Sequence, residues 1–147
     1  TRTLQLNFHH NDFDPATSRV VPALIRKAVQ KEDPYEVWGS GEEIRDFLHI
    51  NDLARACLMA LEKYATCDPL NIGYGKAVAI KELTRMVLKI AAHEDTEVQF
   101  NTSMPSAVPI RMVDISKAKK VMGFEPRISL DEGLRNTVDW YANRRAA

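Results

Sequence analysis

The sequence predicts an α/β fold, of the α+β-like small-domain kind, in which helices alternate with short strands. Three observations carry this. Apolar residues recur at helical spacing in separate stretches, most clearly at Ile80, Leu83, Val87, Ile90 and Ala91. Between these stretches lie short extended runs such as Tyr35–Trp38 and Pro69–Gly73. The 147 residues, 45% apolar and 27% charged, contain no internal repeat, low-complexity run or linker, which is the profile of one globular unit with a sizeable core.

The elements follow in order. Thr3–Phe8 reads as a short strand and His9–Thr17 as a polar loop. A helix is expected over Ser18–Glu32, with Val21, Leu24, Ile25, Ala28 and Val29 on one stripe. Pro22 is tolerable in its first turn, and Asp33-Pro34 stops it. Tyr35–Trp38 is a strand, Gly39-Ser40-Gly41 a turn, and Asp46–Ile50 a further strand. Asn51 or Asp52 is expected to cap a helix running to about Tyr64, with Leu53, Cys57, Leu58 and Leu61 inward. Pro69–Gly73 is a strand, Ile80–His93 a helix, Glu97–Phe100 a strand and Asn101–Pro109 a loop. Arg111–Asp114 is extended, and Ser116–Met122 is a helix stopped by Gly123. Ser129-Leu-Asp-Glu132 is a capping box opening a last helix, with Leu130, Leu134, Val138 and Tyr141 on one side.

Charge excludes some function classes. Twenty basic residues balance twenty acidic ones, so bulk binding to nucleic acid or an anionic membrane is not expected. No apolar stretch is long enough for a transmembrane helix or a signal-peptide core. Cys57 and Cys67 make no disulfide framework and have no partner at zinc-ligand spacing; Cys57 is expected in the core, and the chain fits a reducing, cytoplasmic setting. The adjacent His9 and His10 lack a spaced partner, so no metal site is expected.

Catalytic signatures are missing from the sequence. There is no G-x-G-x-x-G, P-loop, G-x-S-x-G or H-E-x-x-H, and no tyrosine has a lysine four residues on, so no catalytic residue is assigned. The stretch that stands out is Val37-Trp-Gly-Ser-Gly-Glu-Glu-Ile-Arg-Asp-Phe-Leu-His49. A Trp beside a glycine turn offers a flat face to a base or sugar, and an Arg after it can fork onto a phosphate. The alternative is a hairpin with a packed Trp38 and an Arg45 paired to Asp46 or Glu42. His49 reads as a structural histidine.

The stretch Val37–Leu53 (VWGSGEEIRDFLHINDL) resembles the substrate-domain signature of the extended short-chain dehydrogenase/reductases that act on nucleotide sugars, the NAD-dependent epimerase/dehydratases, and above all of the GDP-L-fucose synthases. The resemblance extends through Asn11–Lys27, Leu70-Asn-Ile-Gly73, Ile80-Lys-Glu-Leu83, Pro105–Asp114 and Ile128–Leu134. It implies one substrate-binding domain over 1–147, with the family's N-terminal dinucleotide-binding Rossmann half and its Tyr-x-x-x-Lys absent; the start at Thr1 rather than Met fits a processed, cloned or cropped N-terminus. NAD(P) is then implied for the complete enzyme but not for this chain alone. By position, the resemblance implies substrate contacts at Lys27 near the phosphates and at Trp38, Arg45 and Arg111. Arg19 stands where fucose synthases have a His that touches the nicotinamide cofactor.

Two stretches depart from the family. Asn7-Phe8-His9 replaces Tyr-Gly-Pro, and Met104-Pro-Ser-Ala-Val-Pro-Ile-Arg111 replaces Lys-Pro-Asp-Gly-Thr-Pro-Arg-Lys, so that Met104, Ser106, Ala107 and Ile110 stand at altered positions. Two functions are therefore expected as alternatives. One is the nucleotide-sugar binding domain, with GDP-sugars foremost, of a split or truncated epimerase or reductase whose partner is a separate Rossmann domain. The other is a non-enzymatic stand-alone module. In both, the face left by the missing half predicts a homodimer.

Overall fold

The structure is a computed structural model that describes residues 2–3, 6–7, 13–104 and 108–146. Expectations placed on Phe8, His9, His10, Pro105, Ser106 and Ala107 lie outside the described residues. The fold is mixed α/β, as the alternation predicts. Short strands β1 (Arg2–Thr3) and β2 (Leu6–Asn7) precede α1 (Val20–Val29); β3 (Tyr35–Trp38), β4 (Ile44–Arg45) and β5 (Leu48–His49) lead into α2 (Ile50–Lys63). Then come β6 (Asn71–Ile72), β7 (Val78–Ala79), α3 (Ile80–Ile90), β8 (Val98–Asn101), β9 (Ile110–Arg111), α4 (Ser116–Met122) and α5 (Leu130–Ala146).

The pairings are mostly parallel. β1 lies beside β6, β2 beside β5, and β3 beside β8, with Tyr35 opposite Val98 and Trp38 opposite Asn101. β4 is central to a small mixed sheet, antiparallel to β7 and parallel to β9, with Arg45 opposite Arg111. Parallel neighbours need crossovers, and helices supply them.

Two cores result. Helices α1, α3 and α5 pack on one another and on β3, enclosing Leu24, Ile25, Tyr35, Phe47, Leu83, Val87, Leu134 and Val138. A second cluster, Leu48, Ala56, Leu70, Ile72, Ala118, Met122 and Phe124, sits between α2, α4 and β6. The stripes expected on α1, α3 and α5 face the first core. Gly123 caps α4 in the left-handed conformation (φ +69°), its amide and that of Phe124 closing back on Lys119 and Ala118. Ser129 Oγ accepts the Glu132 amide at 3.2 Å, the expected half of a capping box.

Other expectations are corrected. The run Asp46–Ile50 is not one strand: only Leu48–His49 pairs, because Asp46 turns its carboxylate onto the amides of Tyr74 and Gly75 at 2.8 and 2.9 Å. Burial pushes the Asp46 carboxyl above its ordinary range, against the pull of those two amides. Helix α2 is capped by His49, whose Nδ1 accepts the Asn51 amide at 3.2 Å; this leaves Asp52 free to do something else. The inward face of α2 is also different. Asp52 and Ala56 are buried while Cys57 is exposed and Leu58 and Leu61 are 61% and 73% exposed. Small Ala56 and the partly buried Ala60 let α2 sit close to α4 and β5, and that closeness turns the larger leucines outward.

Candidate functional site

Strand β3 alternates. Tyr35 and Val37 point into the first core, so Glu36 and Trp38 point the other way. Helix α1 packs with Tyr35 and Val37 in the first core, and its Arg19, Val20, Ala23 and Lys27 line the same cavity as Glu36 and Trp38. This cavity is about 400 Å³ and is lined by these residues together with Arg26, Glu43, Arg45 and Ile80. That volume lies within the range that takes a drug-sized or cofactor-sized ligand.

Lys27, near the C-terminal end of α1, donates its Nζ to the Glu36 carbonyl at 2.7 Å and stands 3.9 Å from Glu36 Oε2. Trp38 ends β3 and is 54% exposed, its ring unburied beside the cavity. Arg45, 5% exposed, donates to the carbonyls of Ile44 and Pro109 at 2.6 and 3.3 Å. Burial, and then the neighbouring Arg111 charge, weaken Arg45's hold on its proton, with Glu43 opposing them. An arginine destabilised in this way gains from an incoming anion. Arg19 is the N-cap residue of α1, exposed and without a side-chain cap bond, and it also lines the cavity.

Four residues picked out in the sequence, Arg19, Lys27, Trp38 and Arg45, thus share one cavity. Arg111 does not line it but stands on β9 directly opposite Arg45. The hairpin alternative is overturned: β3 pairs with β8 and not β4, Trp38 is exposed, and Glu42 pairs with Lys81 at 2.7 Å and not with Arg45. Sequence reading passed over Glu36 and Glu43. The signal for Glu36 was present, since period-2 alternation puts it on the Trp38 face.

The turn joining β3 to β4 fixes the geometry. Gly39 and Gly41 have φ of +90° and +80°, and a Cβ on Gly41 would stand 2.4 Å from the Phe100 ring. Gly41→Ala is expected to cost about 1–3 kcal/mol through the left-handed backbone alone, more with the clash. Urea unfolding reads this, and an unchanged midpoint would contradict it.

The glycines make no dinucleotide cradle. The space a Cβ would take at Gly39, Gly41, Gly73 and Gly75 is filled by Glu43, Phe100, Val113 with Asp46, and Ile115 respectively. These glycines face the protein's own side chains and not a pyrophosphate. Among the described residues, no helix is long and apolar enough to cross a membrane.

The chain is similar to known proteins along most of its length. The sequence pattern of the NAD dependent epimerase/dehydratase family matches residues 7–73. GDP-L-fucose synthase 1 of Arabidopsis thaliana is 36% identical over 136 residues, covering 90% of this chain and 42% of that protein. dTDP-4-dehydro-6-deoxy-D-allose reductase of Streptomyces bikiniensis is 34% identical over 131 residues, covering 88% of this chain and 38% of that protein. Among solved structures, UDP-glucose 4-epimerase of Thermotoga maritima with UDP-glucose superposes with a TM-score of 0.86 at 28% identity, covering 98% of this chain and 45% of that one. The chain thus spans about two fifths of the length of the curated relatives it matches. In sequence and in fold, the chain is thus similar to the NAD-dependent epimerase/dehydratase family.

Proposed function

We propose that residues 1–147 form the substrate-holding domain of an NAD(P)-dependent nucleotide-sugar epimerase or reductase, with GDP-sugars the first class to test. One observation carries the reading: Lys27, Arg45 and Trp38 converge on a single cavity, with Arg111 directly beside Arg45. Cations and a flat indole suit a diphosphate joined to a base and a sugar. In this reading the residues bind and orient. Arg45 and Arg111 share the diphosphate charge, Lys27 takes a further phosphate oxygen, and Trp38 stacks. Hydride transfer at a sugar carbon belongs to a dinucleotide-binding portion outside these residues, and in this reading Arg19, which also lines the cavity, is the residue that meets it. The free thiols of Cys57 and Cys67 are in keeping with a reducing, cytoplasmic setting.

The test is calorimetric titration with GDP-mannose, GDP-fucose, UDP-glucose and dTDP-glucose. Saturable binding of a GDP-sugar, lost in Trp38→Ala, is the expected result. A folded protein that gives no heat with any of them overturns the reading.

A second reading, a stand-alone module that self-associates, is favoured by the outward leucines of α2. Adjacent exposed apolar side chains mark contact surfaces. A two-fold dimer by light scattering at micromolar concentration, monomeric in Leu58→Glu/Leu61→Glu, is the result this reading requires; a monomeric parent protein excludes it.

A further inference from the structure

We infer that Glu36 reads a ribose hydroxyl, so that the cavity prefers ribonucleotides to 2′-deoxyribonucleotides. This rests on the substrate-holding reading above and adds to it a choice between ligand classes. Glu36 is the cavity carboxylate that stands beside both Lys27 and the exposed Trp38: it shares a strand face with Trp38 and lies 3.9 Å from Lys27 Nζ.

Its two oxygens are used differently. Oε1 accepts Asn101 Nδ2 at 2.6 Å, and Asn101 is held in turn by the Ser103 amide and hydroxyl on its Oδ1 at 3.1 and 2.6 Å. The carboxylate is therefore aimed by a relay of fixed groups, as a recognition element must be. Oε2 has only the distant Lys27 ammonium, too far for a hydrogen bond, and keeps lone pairs for another donor.

Position decides which donor. A phosphate oxygen held by Lys27 at the usual ~2.8 Å lies only two polar contacts from Oε2. In a nucleotide the ribose is bonded directly to that phosphate, whereas the hydrogen-bonding edge of the base lies a further ring away, over Trp38. A carboxylate cannot usefully face the phosphate itself, because like charges repel. Neutral hydroxyls between phosphate and base are the partners left. A carboxylate on a ribose diol is a bond that chemistry uses elsewhere in nucleotide recognition. A deoxyribonucleotide leaves the Glu36 side chain, 42% exposed, without this charge-assisted hydrogen bond.

The experiment uses nucleoside diphosphates that carry no attached hexose, so that the ribose is the only source of sugar hydroxyls. GDP, 2′-deoxy-GDP, UDP and 2′-deoxy-UDP are titrated calorimetrically into the parent chain, Glu36→Gln and Glu36→Val, with thermal unfolding run on each variant to establish that it is folded. The parent chain is expected to bind each ribonucleotide at least about tenfold tighter than its deoxy partner, and the ratio is expected to fall below threefold in both variants. Absolute affinity is not the readout, because removing the carboxylate also frees Lys27. Binding of GDP or UDP with no ribo-to-deoxy preference in the parent chain, or a preference that survives in Glu36→Val, overturns the inference while leaving the substrate-holding reading intact. Failure of all four nucleotides to bind overturns both.

Discussion

Asp52→Ala is expected to lower the unfolding free energy by about 3 kcal/mol, which for a domain of this size is a fall of about 10 °C in Tm. Asp52 sits in the first turn of α2 and is 2% exposed. Its Oδ1 accepts Arg55 Nη2 at 2.8 Å, and its Oδ2 accepts the amides of Arg127 and Ile128 at 2.9 Å each. One side chain thereby ties α2 to the segment that leads into α5. Arg55 adds to the tie through the Glu125 carbonyl and by lying over the Phe124 ring, 5.2 Å from its centroid. Alanine leaves two amides and a guanidinium without their acceptor. Asp52→Asn keeps one acceptor and is expected to lose about half as much.

The clamp is pH-dependent in a definite sense. Burial raises the Asp52 carboxyl, but the Arg55 bond and the two amides outweigh it, so the folded-state pKa lies below the ordinary value. Its contribution is complete above the ordinary carboxylate range and fades as the pH falls through that lowered value. Asp46, with a raised pKa, runs the other way: its preference for the folded state is greatest in acid and is lost as the pH rises through its folded-state pKa. Acid unfolding of the parent chain compared with Asp52→Asn checks this; a parallel pair of curves would contradict it.

Arg45→Ala is the second large effect, and it is expected on binding with little on stability. Loss of a bidentate, charge-assisted contact on a diphosphate removes about 3–5 kcal/mol, or at least a hundredfold in Kd. Stability is expected to change by less than about 1 kcal/mol, because Arg45 is an uneasy resident: burial and the Arg111 charge both act against its protonated form, and only carbonyl bonds and Glu43 compensate. Arg111→Gln relieves the repulsion and is expected to raise Tm while weakening nucleotide binding. Calorimetry and thermal unfolding on the same samples separate the two effects. A parallel loss of fold and binding in Arg45→Ala would make Arg45 a structural residue.

Local rules were legible wherever one rule acted alone. The α4 boundaries, Gly123 and the Ser129 cap follow from short-range backbone chemistry, and the α3 stripe from periodicity. They failed where the third dimension chose between equals. On α2, Leu53 packs against the second core as expected, but Cys57, Leu58 and Leu61 are as plausible inward as Ala56 and Ala60, and close approach to α4 selects the alanine side. Asp46 interrupts an alternating run because its carboxylate has distant amides to satisfy, which nothing in its neighbours encodes. At the site, the cations and Trp38 came from resemblance to a family, while the role of Glu36 needed the Asn101 contact across the β3–β8 pair.

The parallel pairings also carry a kinetic consequence. Strand β2 reaches β5 only across α1, β1 reaches β6 across α1 and α2, and β3 reaches β8 across α2 and α3. Each pairing must close a long loop before it returns any hydrogen bonds. Helices, whose bonds are local, therefore form early, and the strands zip late. The cavity's walls, α1 and β3, are neighbours in sequence and form locally, whereas Arg111 comes beside Arg45 only once β9 has reached β4 across α2 and α3, so the paired arginines are the last part of the site to assemble.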